Sequence, residues 1–128
     1  PGYTPDLVVI YLGTNDFSTG RQPHLDYWCS GYAALLRQVR AFHGEQVPII
    51  LMASKANEQM GLYVRTAGER SGVGNLHYCI ISESAHNDTS DLGASWHPSY
   101  KGHRKIASIL APYIATVASW ELPFKPYE

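Results

Sequence analysis

Residues 5–16 read PDLVVIYLGTND, and this stretch decides the fold. Six consecutive apolar residues lead directly into a glycine and three small polar residues. A continuous apolar run of this length is typical of a strand buried on both faces, as in parallel sheets. Ligands bind at the carboxyl ends of the strands in such sheets, so residues 13–16 lie where chemistry is expected. Asn15 is the most informative of them because a neutral amide donates to a developing oxyanion without adding charge. An ordinary strand-end turn is the alternative interpretation, since Gly, Asn and Asp all suit turns.

The C-terminal third contains a second informative stretch, WHPSYKGHRKIA, over residues 96–107. It predicts a loop histidine, His97, followed at once by a helix with Ser99 as a candidate N-cap. Together with the Gly-Thr-Asn-Asp block, this stretch resembles the SGNH (GDSL-type) hydrolase family, whose members carry four such blocks. The form His-Pro-x-x-x-Gly-His is similar to carbohydrate esterases of the acetylxylan esterase kind (family two). The resemblance extends from Pro5 to about Trp120.

This resemblance implies a three-layer α/β/α fold with a parallel sheet, but two of the four family blocks are not found. The chain has neither a Gly-Asp-Ser nor a Gly-x-Ser-x-Gly motif. We therefore expect residues 1–128 to be the C-terminal part of one SGNH hydrolase domain, with the nucleophile strand upstream. Ser54, Ser82 and Ser84 follow predicted strands but lack the tight-turn glycines that a strained nucleophile requires.

The elements predicted along the chain alternate between strand and helix. A helix over about residues 25–42 carries an apolar face, and a strand over 49–53 follows. A weaker helix over 57–70, a strand over 76–81 and a last helix from residue 99 or 100 complete the pattern. The face of the first helix is predicted to comprise Tyr32, Leu35, Leu36, Val39 and Phe42. Pro112 is expected to kink or interrupt the last helix.

The resemblance assigns roles to two residues, His97 as the general base and Asn15 as one oxyanion donor. The orienting acid departs from the family pattern, because members place an Asp two or three residues before the histidine, where this chain has Ser95 and Ala94. The nearest acid is Asp91, six residues upstream. A backbone carbonyl also fixes the tautomer of an imidazole, so a Ser-His dyad and a triad with Asp91 both remain open.

Two further residues are candidates for substrate contact, Asp16 beside Asn15 and Trp96 beside the base. Aromatic faces stack on sugar rings, and Trp96 lies on a polar loop, which makes it a candidate platform. For Trp28, packing on the helix face is favoured over a role as a platform.

Bulk composition excludes several classes of function. The net charge is −1 and only 16% of residues are charged, so a nucleic-acid footprint is not expected. No apolar stretch is long enough to span a membrane, and no signal peptide is recognisable.

The His, Cys and Asp spacings predict no metal site, and the reaction requires no cofactor. Cys29 and Cys79 are expected to be buried thiols, although a disulfide between them remains open. Secretion or a periplasmic location is implied by the resemblance alone.

The sequence thus predicts a serine ester hydrolase that removes O-acetyl groups from xylan or a related polysaccharide. Two alternatives remain: a carbohydrate-binding piece that has lost catalysis, and a short-chain or lipid esterase of the same fold. An unpaired sheet edge along residues 7–12 also predicts self-association or marginal stability of the chain alone.

Overall fold

The protein is described by a computed structural model covering residues 3–17, 20–54, 58–81 and 88–122. Strands and helices alternate along the chain, as the sequence predicts, and two short 3₁₀ turns, Thr89–Asp91 and Ala94–Trp96, precede the last helix. The elements in order are β1 (Val8–Ile10), α1 (Thr14–Phe17), α2 (Leu25–His43), β2 (Ile49–Ser54), α3 (Glu58–Ser71), β3 (Leu76–Ile81) and α4 (Tyr100–Ala118).

The three strands form a parallel sheet in the order β1-β2-β3. Val8 pairs with Ile49, and Ile10 with Leu51, in the β1–β2 ladder. This arrangement confirms the predicted α/β class with a parallel sheet. It also puts β1 at one edge of the described sheet, so its pairing is with β2 alone.

The core is built around β2, because all six of its residues are buried. The apolar run of this strand therefore contacts protein on both faces, as expected for a parallel strand. From α3, the side chains of Met60, Val64 and Ala67 join this core. Leu36 of α2 is also fully buried.

The inward face of α2 differs from the prediction at its C-terminal end. Tyr32 and Leu36 are buried as expected, but the side chain of Phe42 is 65% exposed. Arg40 is buried instead, and its guanidinium donates to the carbonyl oxygens of Gly44 at 2.7 Å and Val47 at 2.6 Å. The prediction for Phe42 was wrong because hydrophobicity alone cannot show that a charged side chain has backbone acceptors to satisfy it.

Helix α4 begins as the sequence predicts. Ser99 is the N-cap, and its hydroxyl accepts a hydrogen bond from the Gly102 N–H. The helix continues through Pro112, so the predicted interruption there does not occur. Ile106 of this helix is buried. Among the described residues, no helix is long and apolar enough to cross a membrane.

The chain divides into two compact units, residues 1–80 and 81–128. The first contains the Gly-Thr-Asn-Asp block, and the second contains the Trp-His-Pro block. Cys29 and Cys79 are both buried and free, so the disulfide left open by the sequence is not formed.

Candidate functional site

The Gly-Thr-Asn-Asp block begins three residues after β1, at the carboxyl end of that strand. Gly13 has φ of 110°, a conformation that residues with a side chain rarely adopt. The chain then turns into the short helix α1, and the Asp16 N–H donates to the Gly13 carbonyl oxygen at 3.0 Å. The glycine of the motif is therefore required by the backbone turn that precedes Asn15.

Space is the second reason for a glycine at this position. A Cβ built on Gly13 would lie 2.8 Å from Cζ2 of Trp28 and 3.3 Å from Cε of Met60. The backbone of the block thus rests directly on the indole of Trp28. Sequence reasoning favoured packing for Trp28, and the structure confirms it, since only 9% of this residue is exposed.

Asp16, the predicted substrate contact, has a partner within the protein. Its Oδ2 accepts a hydrogen bond from the indole Nε1–H of Trp28 at 2.8 Å. Asn15 lies between Gly13 and Asp16, on the exposed side of α1. The structure therefore brings Asn15 and Asp16 together at the carboxyl end of β1, and it adds Trp28 to them.

An open groove of about 450 Å³ lies beside this block in the first unit. Leu12, Gly13 and Asp16 line one side of it. Residues of α2, among them Tyr27 and Trp28, line the other. The groove is a concave, mostly apolar surface next to a predicted oxyanion donor.

In the second unit, His97 lies in a narrow loop closed by an isolated antiparallel bridge between Leu92 and Pro98. The Gly93 N–H donates to the His97 carbonyl oxygen at 2.7 Å, and the His97 N–H donates to the Ala94 carbonyl oxygen at 3.1 Å. These bonds fix the backbone of His97 on both sides. Its side chain is exposed.

Trp96 lies at the tip of the same loop and is 84% exposed. It has φ of 65°, and the preceding Ser95 has φ of 53°, so two consecutive residues adopt a positive φ. Such a conformation is rare for a bulky side chain. The loop thus presents Trp96 and His97 side by side to solvent.

Asp91, the predicted orienting acid, is fully buried below this loop. Its carboxylate forms an ion pair with the Lys105 ammonium, and its Oδ1 lies 3.7 Å from Nζ of Lys101. The structure therefore places the Asp91 carboxylate against two lysines of α4, and no hydrogen bond between Asp91 and His97 occurs in the described second unit. The hydrogen bond from Lys105 lowers the pKa of Asp91.

The backbone of Asp91 also holds the loop to α4. The Ser99 N–H donates to the Asp91 carbonyl oxygen at 2.8 Å, and the Ser99 hydroxyl donates to the Ser90 carbonyl oxygen at 2.6 Å. Asp88 accepts from the Ser90 N–H at 2.8 Å and pairs with Lys101 at 3.2 Å. The bond from the Ser90 backbone, followed by those from the Ser90 and Lys101 side chains, lowers the pKa of Asp88 to about 2. Lys101 and Lys105, which the sequence did not single out, are therefore the charges that anchor this segment.

Of the three serines that follow predicted strands, Ser54 lies within the described residues. Ser54 ends β2, is 5% exposed, and shares a hydrogen bond with the phenol of Tyr11. Ser82 and Ser84 lie outside the described residues. Within the described ranges, no group of three or more His, Cys, Asp or Glu side chains is placed to hold a metal ion.

Comparison with known proteins gives matches at low identity over nearly the whole chain. The chain is 25% identical over 123 residues to the cellulase/esterase CelE of Acetivibrio thermocellus, covering 92% of this chain and 15% of that protein. It is 24% identical over 122 residues to an acetylxylan esterase/glucomannan deacetylase of Cellvibrio japonicus, covering 88% of this chain and 33% of that protein. A second Cellvibrio japonicus protein of the same name is 26% identical over 121 residues, covering 92% of this chain and 32% of that protein. No family model matches the chain.

The fold has a counterpart among solved structures. A carbohydrate esterase whose active site is described as having divergent catalytic and non-catalytic binding functions matches with a TM-score of 0.72 at 22% identity. The match covers 88% of this chain and 38% of that one. The resemblance to acetylxylan-esterase-like carbohydrate esterases inferred from the sequence is thereby confirmed. The chain spans about a third or less of the length of the curated relatives it matches.

Proposed function

We propose that residues 1–128 form the C-terminal part of one SGNH-type hydrolase domain that removes O-acetyl groups from xylan or a related polysaccharide. The observation that carries this proposal is the turn formed by Gly13, Asn15 and Asp16 at the carboxyl end of a parallel strand. The φ of 110° at Gly13 and the close contact of Gly13 with Trp28 explain why that turn needs a glycine at its start. The substrate class, an acetylated polysaccharide, is inferred from the names of the matched relatives.

In the proposed reaction, a serine outside this chain attacks the acetyl carbonyl carbon while His97 accepts the proton of its hydroxyl. The Asn15 amide donates a hydrogen bond to the oxyanion of the tetrahedral intermediate. Collapse of the intermediate breaks the ester bond, and the proton on His97 passes to the departing sugar oxygen. Water then attacks the acetyl-enzyme by the same proton transfers in reverse, releasing acetate and the free serine.

We assign the orientation of His97 to a backbone carbonyl rather than to Asp91. The support is that the Asp91 carboxylate is buried and paired with Lys105 and Lys101. Its Oδ2 accepts from the Lys105 ammonium, and within the described second unit no hydrogen bond joins the carboxylate to the His97 side chain. The proposed machinery is therefore a Ser-His dyad, with Asp91 anchoring the loop that carries the histidine.

Trp96 is the proposed contact with the sugar chain. Its 84% exposure leaves the indole available to stack on a pyranose ring, and its neighbour in sequence is the proposed base. Asp16 is proposed to act on the substrate only through the shape of the turn, because its carboxylate is engaged by Trp28. A polysaccharide substrate lies outside the cell, so we also propose that the protein is exported.

The test is acetate release from acetylated xylan by the full-length protein. Asn15→Ala should lower kcat by roughly 10²–10³ with little change in KM, because an oxyanion donor acts mainly in the transition state. His97→Ala should be more damaging, while the matched control His103→Ala, an exposed histidine on α4, should retain activity. Asp91→Asn, in a variant whose fold is shown to be intact by circular dichroism, should cost less than about tenfold, whereas a triad acid costs about 10⁴ when neutralised. A parent protein that releases no acetate refutes the proposed activity, and hydrolysis of short acyl esters alone favours the short-chain esterase.

The chain of residues 1–128 tested alone should not hydrolyse 4-nitrophenyl acetate faster than a buffer containing imidazole. The reason is that the proposed nucleophile lies outside it. Stoichiometric labelling of a serine by a fluorophosphonate would contradict this and would direct attention to Ser54, Ser82 and Ser84.

A carbohydrate-binding role without catalysis is the second candidate, and the exposure of Trp96 is the observation that favours it. Binding of xylan oligosaccharides by a protein that releases no acetate would support it. In that case Trp96→Ala should abolish binding, whereas His97→Ala should leave it unchanged.

A further inference from the structure

Trp28 is held in the first unit by three aromatic neighbours. Its indole stacks on Tyr32 with ring centroids 4.7 Å apart, and it meets Phe17 and Tyr63 edge-on at 5.7 Å and 5.8 Å. These contacts hold the ring on three sides. A side chain constrained in this way is a rigid support for whatever lies above it.

The segment above it is the turn that contains Asn15. Trp28 touches this turn at two points, through the close approach of its Cζ2 to Gly13 and through the 2.8 Å bond from Nε1 to Asp16 Oδ2. Asn15 lies between these two points in the chain. The backbone on each side of Asn15 is therefore set by the same indole.

We propose that Trp28 is the positioning residue for Asn15, acting through the Nε1–H···Oδ2 bond to Asp16. This inference rests on the proposed role of Asn15 as an oxyanion donor. Such a donor must lie within hydrogen-bond distance of the position that the carbonyl oxygen occupies as an oxyanion in the transition state. A misplacement of about 1 Å at a reacting centre costs about 10²-fold in rate, so fixing the turn is a functional requirement.

The chemistry of the pair distinguishes positioning from simple packing. An aromatic side chain without a donor would fill the same space between Tyr32 and Phe17. The bond to a carboxylate is charge-assisted and directional, and it ties the C-terminal side of the turn to a residue that is 9% exposed. Trp28→Phe removes this bond and retains most of the ring packing.

The first arm of the test needs no enzymatic activity. In ¹H–¹⁵N spectra of the full-length protein, the indole N–H of Trp28 should be protected from exchange. Trp28→Phe and Asp16→Ala should both shift the backbone and side-chain amide signals of Asn15. Asp16→Asn should largely restore them, since its Oδ1 still accepts from the indole. Trp120→Phe, at a tryptophan that is 53% exposed in the second unit, is the control and should leave the Asn15 signals unchanged.

The second arm uses the full-length protein on acetylated xylan. Trp28→Phe and Asp16→Ala should each lower kcat at least tenfold with KM unchanged, and Asp16→Asn should recover most of the loss. The inference is overturned if the Asn15 signals are unshifted in both Trp28→Phe and Asp16→Ala. It is also overturned if kcat is unchanged in these two variants. If Trp28→Phe fails to fold, the pair Asp16→Ala and Asp16→Asn decides. An inactive parent with shifted Asn15 signals refutes the proposed function and leaves the positioning by Trp28 intact.

Discussion

Replacing Gly102 by alanine tests how the His97 loop is attached to α4. Gly102 is in the first turn of the helix, and a Cβ built on it would overlap the carbonyl oxygen of Asp91 and lie 3.2 Å from Cβ of Pro98. The neighbouring atom is backbone, held by a 2.8 Å hydrogen bond from the Ser99 N–H, so it cannot rotate away. Either the helix or the loop must move.

The sign of the effect follows from two opposing terms. In a helix, Gly→Ala stabilises by ~0.5–1 kcal/mol through backbone entropy and helix propensity. Overpacking against a rigid neighbour costs ~1–3 kcal/mol and occasionally more. Because the overlap at Gly102 involves a carbonyl, we expect the upper part of that range to apply and a net loss of ~1–2 kcal/mol. For a chain of this size the loss corresponds to a fall in Tm of roughly 4–8 °C.

The matched control is the same substitution at Gly31. This glycine lies within α2, and a Cβ built on it meets no atom within 4 Å. Gly31→Ala should therefore raise stability by ~0.5–1 kcal/mol. Gly68→Ala lies between these cases, since the added methyl would meet the hydroxyl end of Tyr78, a side chain able to move.

Thermal and urea unfolding followed by circular dichroism give the free energies of unfolding, and amide exchange identifies the segment affected. In Gly102→Ala, the loss of protection should concentrate in residues 88–106. A Gly102→Ala variant as stable as the Gly31→Ala variant would refute the reasoning, because it would show that the loop and α4 are not in the contact described.

Three further predictions follow from other features. The pKa of Asp88 is lowered from 3.8 to about 2, so its contribution to stability is present above pH 3.8 and lost as the pH falls toward 2. The difference in free energy of unfolding between parent and Asp88→Asn should accordingly shrink over that range. Burial raises the pKa of both Cys29 and Cys79. The thiols of the native chain should therefore react with a disulfide reagent far more slowly than those of the unfolded chain. Rapid reaction of the native chain would contradict their burial. Val9 on edge strand β1 is 37% exposed, so Val9→Lys should reduce the self-association measured by sedimentation. The control Leu62→Lys, at a 55% exposed position on α3, should leave it unchanged. A parent chain that is strictly monomeric would contradict the prediction.

Periodicity predicted most of the fold, because strands and helices here follow their hydrophobic patterns closely. The predicted strand over residues 76–81 coincides with β3 (Leu76–Ile81), and Ser99 caps α4 as the sequence indicates. The failure at Phe42 has a definite cause. Its place on the inward side at the end of α2 is taken by Arg40, whose guanidinium finds buried carbonyl acceptors that no sequence pattern encodes.

The chemistry around the candidate residues was less accessible to sequence reasoning. The Gly-Thr-Asn-Asp motif identified where Asn15 would lie, but the partner of Asp16 is twelve residues away on another helix. Similarly, Asp91 is separated from Lys105 by fourteen residues, and only the fold shows that its carboxylate is paired. Spacing rules detect partners one helical turn apart, whereas these pairs depend on how α1 and α4 pack with their neighbours.

The two left-handed residues at the tip of the His97 loop limit the sequences that this loop can accept. A β-branched residue at position 95 or 96 would be strained at the observed φ values of 53° and 65°, so Val, Ile and Thr should be selected against at both sites. Glycine or asparagine at position 95 should be tolerated, because both adopt this conformation readily. Random mutagenesis of the loop would therefore return a narrow, predictable set of survivors at position 95. At position 96, this chain has a bulky aromatic residue in a backbone conformation that such residues rarely adopt.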